Sequence, residues 1–158
     1  MRGRDAWGRA GLVVLAVIAV DQATKAIVRS TLARGEARDL VLGVDLVNVR
    51  NRGVAFGALA DGGLLVPLLT FAALGLLLAY FATHASRPGL WLPVGMLLGG
   101  ALGNLIDRVT SGAVTDFIDL PLWPAFNVAD MSITLGVLVL IYVLERPRGR
   151  RGAQPDRA

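Results

Sequence analysis

The sequence of 158 residues contains no cysteine and a single histidine, His84. Without cysteine, the chain can form neither a disulfide framework nor a thiolate metal site. One histidine likewise excludes a metal site built from several imidazole ligands. We therefore expect no metal centre of these kinds.

Charged residues are also scarce, at 18% of the sequence, whereas 54% of the residues are hydrophobic. Mean hydropathy is +0.60, which is too apolar for an ordinary soluble domain of this length. The composition indicates an integral membrane protein, with residues 1–158 forming one domain. A net charge of +4 could suit nucleic-acid binding, but the arginines concentrate at the chain ends, so we predict no nucleic-acid partner.

Four apolar segments are long enough to cross a membrane, which takes about 20 residues and at least about 17. The second and third carry no charge, whereas the first contains Asp21 and Lys25. The first could also be a signal peptide, but no small-residue cleavage pattern follows Val20, and three further spans come after it. The predicted spans are residues 10–28, 62–83, 89–106 and 128–144.

The basic residues predict an orientation for these spans. Both tails and the connection at Arg87 share a side if there are four spans, and they hold nine basic and three acidic residues. The positive-inside rule makes that side cytoplasmic. Most of the other polar residues, among them both acidic residues discussed next, then lie toward the outer face.

Asp116 and Asp130 are carboxylates in apolar surroundings, separated by a Pro-containing turn. Acidic residues near membrane depth are costly and are therefore functional candidates. Two facing carboxylates share a proton, the arrangement that aspartic hydrolysis needs. The alternatives are structural: Asp130 as a helix cap, a role that Asn127 could fill instead, and Asp116 as a solvated loop residue. Spacing alone leaves both interpretations open.

Other polar residues have similar alternatives. Asn104 and Arg108 lie one helical turn apart and could support the carboxylates, although Arg108 could simply pair with Asp107. Asp21 and Lys25 could form an intrahelical ion pair or grip a substrate. Asn51 lies in a predicted turn and could be structural or bind a substrate main chain.

The loop between the first two spans contains two segments rich in β-branched residues, Asp39–Val44 and Asp45–Arg50, which predict a hairpin lying on the membrane. Asp119 is a competing acid, but Leu120 and Pro121 follow it and suggest a loop. The basic tail, residues 146–158, is predicted to be disordered.

Five segments together resemble the lipoprotein signal peptidase family, also called signal peptidase II. They occur in family order over Val20 to Gly136, and the five in order are highly specific. They are Asp21-Gln22-Ala23-Thr24-Lys25, Asn51-Arg52-Gly53-Val54-Ala55-Phe56, Gly103-Asn104-Leu105-Ile106-Asp107-Arg108, Val114-Thr115-Asp116-Phe117-Ile118 and Phe126-Asn127-Val128-Ala129-Asp130.

The resemblance implies an α-helical integral membrane protein with four transmembrane helices and a small extracytoplasmic β-cradle. It implies that Asp116 and Asp130 are the catalytic pair, with no metal and no cofactor. It also implies supporting roles for a further set of residues. These are Asp21, Lys25, Asn51, Gly53, Asn104, Arg108 and Asn127.

By the same resemblance, the chain is expected to be an aspartic endopeptidase of the bacterial inner membrane. It would cleave diacylglyceryl-modified prolipoproteins just before the lipidated cysteine, acting as a monomer in contact with membrane lipid. A proton-coupled transporter would instead place acids at mid-membrane and show repeat symmetry. A non-enzymatic scaffold would need no paired acids.

Overall fold

The structure is a computed structural model that describes residues 3–41, 43–52 and 65–146. It is mostly helical, with one small antiparallel sheet. The helices are α1 (Gly3–Thr31), α2 (Leu65–His84), α3 (Trp91–Ser111) and α4 (Val128–Glu145). The strands are β1 (Ala37–Val41), β2 (Val44–Asn51), β3 (Val114–Leu120) and β4 (Trp123–Phe126).

The helices lie antiparallel to their sequence neighbours. The start of α1, the end of α2, the start of α3 and the end of α4 meet in one apolar cluster, which includes Ala6, Phe81, Val94 and Val143. The rings of Trp7 and Phe81 contact each other there, with centroids 4.6 Å apart and planes tilted by 57°. The sheet therefore lies at the opposite end of the bundle.

Helix α3 packs closely against both α1 and α4. A Cβ atom at Gly95 would lie 2.8 Å from the carbonyl oxygen of Ala10, and one at Gly100 would lie 2.5 Å from that of Ala129. Real Cβ atoms are not found at such distances, so only glycine allows these approaches. Small residues bring membrane helices together in this way.

Much of the helical surface is apolar and exposed, including Leu12, Leu76 and Leu138. Within the described ranges, α1 and α4 are long and apolar enough to cross a membrane, and Leu68–His84 is a shorter apolar segment. The four predicted spans correspond to the four helices. Helix α3 extends past Ile106 to Ser111, so Asp107 and Arg108 lie within it.

The sheet has the order β1-β2-β3-β4. The predicted hairpin is confirmed, but its turn comes earlier than expected: Val44 begins β2, and Gly43 takes the turn with a φ of 78°. Glycine adopts this left-handed conformation without the steric cost that other residues meet.

Two local predictions were wrong. Asn51 ends strand β2, opposite Val114, and does not lie in a turn. Asp116 and Asp119 lie in strand β3, where the sequence suggested a loop for Asp119; that strand pairs with β2 over most of its length. Gly53, residues 62–64 of the second predicted span and the tail beyond Arg146 lie outside the described residues.

Candidate functional site

Asp116 is held in strand β3 by two carboxamide side chains. Asn51, from the neighbouring strand, donates from Nδ2 to Oδ2 at 3.0 Å. Asn127 donates from Nδ2 to Oδ1 at 2.7 Å. The carboxylate is 2% exposed, so both of its oxygens are directed by protein groups.

The pKa of Asp116 is raised from 3.8 to about 6, mainly by burial and to a smaller extent by the charge of Asp130. The hydrogen bonds from Asn51 and Asn127 and the charge of Lys25 act in the opposite direction, because each favours the ionised form. Asp116 can therefore hold or release a proton close to neutral pH.

Asp130 lies in the first turn of α4 and has two partners. Its Oδ1 accepts a hydrogen bond from Asn104 Nδ2 at 2.8 Å. Its Oδ2 accepts one from the backbone N–H of Asn127 at 3.2 Å, while the Asn127 side chain accepts the Asp130 N–H at 3.0 Å. These reciprocal bonds form a capping box.

The capping box corrects one expectation. Asn127 was predicted to cap α4 in place of Asp130, but the two residues cap it together. Capping engages one carboxylate oxygen of Asp130, and the other is directed to Asn104. A structural role and a place in the site are therefore compatible for this residue.

Asn127 connects the two carboxylates. Its amide nitrogen reaches Asp116, and it also lies 3.1 Å from the Oδ1 atom of Asn104, which in turn donates to Asp130. The residues that the sequence marked as a functional pair thus share one continuous hydrogen-bond network.

Lys25 lies beneath this network and is fully buried. Its Nζ atom is 2.8 Å from Asp21 Oδ2, 2.9 Å from Asn104 Oδ1 and 3.2 Å from Asp107 Oδ2. An ammonium group has three donors, and each of them has one acceptor here. The predicted Asp21–Lys25 ion pair is confirmed, and Asp107 joins it.

Asp21 and Asp107 have matching positions. Asp21 Oδ1 accepts the backbone N–H of Ala129 at 3.0 Å, and Asp107 Oδ2 accepts that of Thr115 at 3.0 Å. Ala129 precedes Asp130, and Thr115 precedes Asp116. Each buried carboxylate therefore holds the backbone next to one member of the candidate pair.

Sequence reasoning missed Asp107 and Gln22. Asp107 was expected to pair with Arg108, but its cations are Lys25 and, at 3.7 Å, Arg29. Gln22 Nε2 lies 3.1 Å from both Asp21 and Asp107. The available signal was position: Gln22 adjoins Asp21, and Asp107 follows Asn104 by nearly one helical turn.

The predicted supporting residue Arg108 lies outside the network formed by the described residues. Among the described residues, the side chain of Arg108 makes no hydrogen bond or ion pair with either candidate aspartate. Gly53 lies outside the described ranges. In the part of the chain that the structure describes, no three His, Asp or Glu residues are grouped so as to hold a metal ion.

A cavity of about 310 Å³ borders Asp130. It lies between the β3–β4 hairpin and the outer side of α4, and its walls are mostly apolar. They include Leu120, Trp123, Phe126 and Leu135. An apolar chain could therefore lie in direct contact with a carboxylate of the candidate pair.

Comparison with known proteins agrees with the resemblance. The family model described as signal peptidase (SPase) II matches residues 13–145. The lipoprotein signal peptidase of Moorella thermoacetica is 41% identical over 146 residues, which cover 91% of this chain and 97% of that protein. The lipoprotein signal peptidase of Syntrophotalea carbinolica is 44% identical over 140 residues, covering 82% and 86% of the two chains.

Solved structures give the same result at the level of the fold. A bacterial membrane enzyme solved by the in meso method at 2.3 Å resolution superposes with a TM-score of 0.81 and 31% identity, covering 93% of each chain. A second, solved at 1.9 Å, gives a TM-score of 0.78 and 33% identity, covering 88% of this chain and 94% of that one. On the family match and the extent of the identity to these relatives, the chain belongs to the signal peptidase II family.

Proposed function

We propose that this chain is an intramembrane aspartic endopeptidase that removes the signal peptide from diacylglyceryl-modified prolipoproteins. It cleaves the bond just before the lipidated cysteine. The observation that carries the proposal is the joining of Asp116 and Asp130 by one hydrogen-bond network at one end of an otherwise apolar bundle. The curated relatives are named lipoprotein signal peptidases, which supports the substrate class.

In this proposal, all four helices cross the bacterial inner membrane, and residues 1–158 act as one domain. The apolar exposed surfaces of α1, α2 and α4 support membrane contact. The positive-inside rule places both termini in the cytoplasm. The sheet and the two aspartates then lie near the outer face, where water can reach the site.

The chemistry needs one ionised and one protonated carboxyl group. The ionised carboxylate takes a proton from water, whose oxygen attacks the scissile carbonyl carbon, while the protonated carboxyl donates to the carbonyl oxygen. Collapse of the intermediate transfers a proton to the leaving nitrogen, which becomes the free amine of the lipidated cysteine. The raised pKa of Asp116 supports a shared proton near neutral pH.

The supporting residues act through these two groups, and the mechanism uses no metal or organic cofactor. Asn51, Asn104 and Asn127 direct the carboxylate oxygens. Asp21 holds the backbone at Ala129, and Lys25 neutralises Asp21. Gly53 and Arg108 remain proposed supports.

The cavity beside Asp130 suggests how substrate reaches the site. Its wall includes the exposed apolar residues Met131 and Leu135 of α4, so a signal helix or lipid chain could enter sideways from the bilayer. The scissile bond would then lie between the two aspartates. One copy of the chain contains both carboxylates, so a monomer in contact with membrane lipid suffices, and no nucleic acid takes part.

The test is processing of a lipid-modified prolipoprotein by purified variants. Asp116→Asn and Asp130→Asn should each slow cleavage by a factor on the order of 10³–10⁴, because each removes a group that moves a proton. Asp119→Asn is the matched control, since it makes the same change three residues along the same strand, and it should retain activity. Normal cleavage by either of the first two variants, at wild-type expression, would sink the proposal.

A further inference from the structure

A second cavity, of about 330 Å³, lies where the end of α1 meets strand β2 and the end of α3. Three arginines line it: Arg29 from α1, Arg34 from the loop that follows and Arg50 from β2. No acidic residue is among the described residues of its wall. Its volume falls within the range of small-molecule sites, about 300–1,000 Å³.

The positive charge of this cavity is only partly neutralised. Arg29 contacts Thr115 Oγ1 at 3.2 Å and lies 3.7 Å from Asp107, and Arg50 donates to the carbonyl oxygen of Ser111. Arg34 has no hydrogen-bond or ion-pair partner among residues 3–41, 43–52 and 65–146.

The neighbouring carboxylates are already engaged. Asp107 is 2% exposed and pairs with Lys25. Glu36, two residues after Arg34, accepts the N–H of Ala33 and pairs with Arg38 at 3.0 Å. Three guanidinium groups around one concavity therefore leave an excess of positive charge.

Exposed apolar residues lie on the same two helices, nearer the middle of the bundle than the cavity. Ile27, two residues before Arg29, is 60% exposed, and Val109, two residues before Ser111, is 77% exposed. Both helices thus change from exposed apolar residues to pocket-lining polar residues within about one turn. Such a change marks the boundary between the hydrocarbon and the headgroups of a bilayer.

We propose that this cavity binds the phosphate of an anionic glycerophospholipid in the outer leaflet, with the acyl chains in the bilayer beside the ends of α1 and α3. Guanidinium groups bind phosphate through paired, charge-assisted hydrogen bonds, and basic pockets beside membrane helices select anionic headgroups. The proposal rests on the membrane orientation given under the proposed function, and it assigns to the chain a lipid site separate from Asp116 and Asp130.

Native mass spectrometry of the full chain in neutral detergent tests this site. Phosphatidylglycerol is titrated against phosphatidylcholine of the same acyl chains, and binding to each variant is compared. Arg34→Gln should weaken phosphatidylglycerol binding about fivefold, and Arg34→Gln with Arg50→Gln about 25-fold. Arg38→Gln is the matched control, because Arg38 is an exposed arginine on β1 outside the cavity, and it should change binding less than twofold.

Three results would overturn the proposal. They are equal binding of both lipids, a loss in Arg38→Gln as large as in Arg34→Gln, and displacement of the lipid by a large excess of inorganic phosphate, which would indicate a free-anion site. Retained circular dichroism checks that each variant is folded. Measuring lipid binding also in Asp116→Asn separates the two proposals, because that variant should lose cleavage and keep the lipid.

Discussion

Asp116 lies within strand β3, whereas Asp130 lies in the first turn of helix α4. We call the surroundings of Asp116 the strand side of the site and those of Asp130 the helix side. The helix side has a local support, because the capping box holds Asp130 through a residue only three positions away. The strand side has no such cap: Asn51, from strand β2, contacts the Asp116 carboxylate, and Asp107, from helix α3, holds the backbone at Thr115.

Both sides nevertheless rely on the same buried cation. Lys25 neutralises Asp21, which holds the helix side, and Asp107, which holds the strand side. The difference is that Asp107 has Arg29 as a further cation at 3.7 Å, while no other cation pairs with Asp21 among the described residues. The helix side therefore has the local cap and the weaker charge compensation, whereas the strand side has no such cap but has a second cation.

Removing the shared cation should have the largest effect on stability. Lys25→Met leaves two buried carboxylates with reduced compensation, and we expect it to lower the free energy of unfolding by about 3–5 kcal/mol. Thermal melting in detergent measures the change. Arg38→Met, which removes an exposed ion pair, should cost less than about 1 kcal/mol.

A second substitution in the Lys25→Met variant tests whether charge compensation differs between the helix side and the strand side. Adding Asp21→Asn to Lys25→Met should restore more of the melting temperature than adding Asp107→Asn, because Arg29 still compensates Asp107. Equal recovery in the two double variants would show that Arg29 contributes nothing to the strand side.

Asp107→Asn should lower kcat by about 100-fold with little change in KM, because it displaces strand β3 and hence Asp116. Donors face both oxygens of Asp107, so an amide NH₂ group would meet a donor whichever way it turned. Asp21→Asn should cost only about tenfold, since the capping box still holds Asp130. Steady-state cleavage assays give both values, and the reverse order would contradict the comparison.

Asn51→Ala should have a smaller effect, seen in the pH dependence. The Asn51 amide favours ionised Asp116, so its loss raises the pKa of Asp116 above about 6. The decline in kcat/KM as the pair loses its last proton should then move to higher pH, by about one unit. A shift to lower pH, or no shift, would show that Asn51 does not act on Asp116.

The pKa of Asp116 also predicts a pH dependence of stability. Because the pKa is raised from 3.8 to about 6, the folded chain binds this proton more tightly than the unfolded chain does. Its contribution to stability is complete below pH 3.8 and is lost as the pH rises to about 6. Asp116→Asn should flatten the melting temperature across that window.

The sequence predicted best where the signal was local. Apolar runs marked the helices, spacing gave the Asp21–Lys25 pair, and Asn127 was identified as a cap. Strand β3 was missed because Val114–Phe117 are all buried, so the alternation that marks a half-exposed strand is absent.

Other features could not be predicted because they depend on contacts between different elements of the fold. Thr115 and Asp107 belong to different elements, and only the folded structure shows that one holds the other. The participation of Asp130 in the cap was underestimated because a carboxylate has two oxygens. One can serve the helix while the other serves the site.

The glycines of α3 have a consequence for the movement of the enzyme. At Gly95 and Gly100, α3 meets its neighbours backbone to backbone, so the helices cannot slide or rotate past each other without collision. The sheet meets the bundle mainly through side chains, which can change rotamer. We therefore expect the three helices α1, α3 and α4 to act as a stiff frame, with the hinge for admitting a lipid-linked substrate on the side of the sheet.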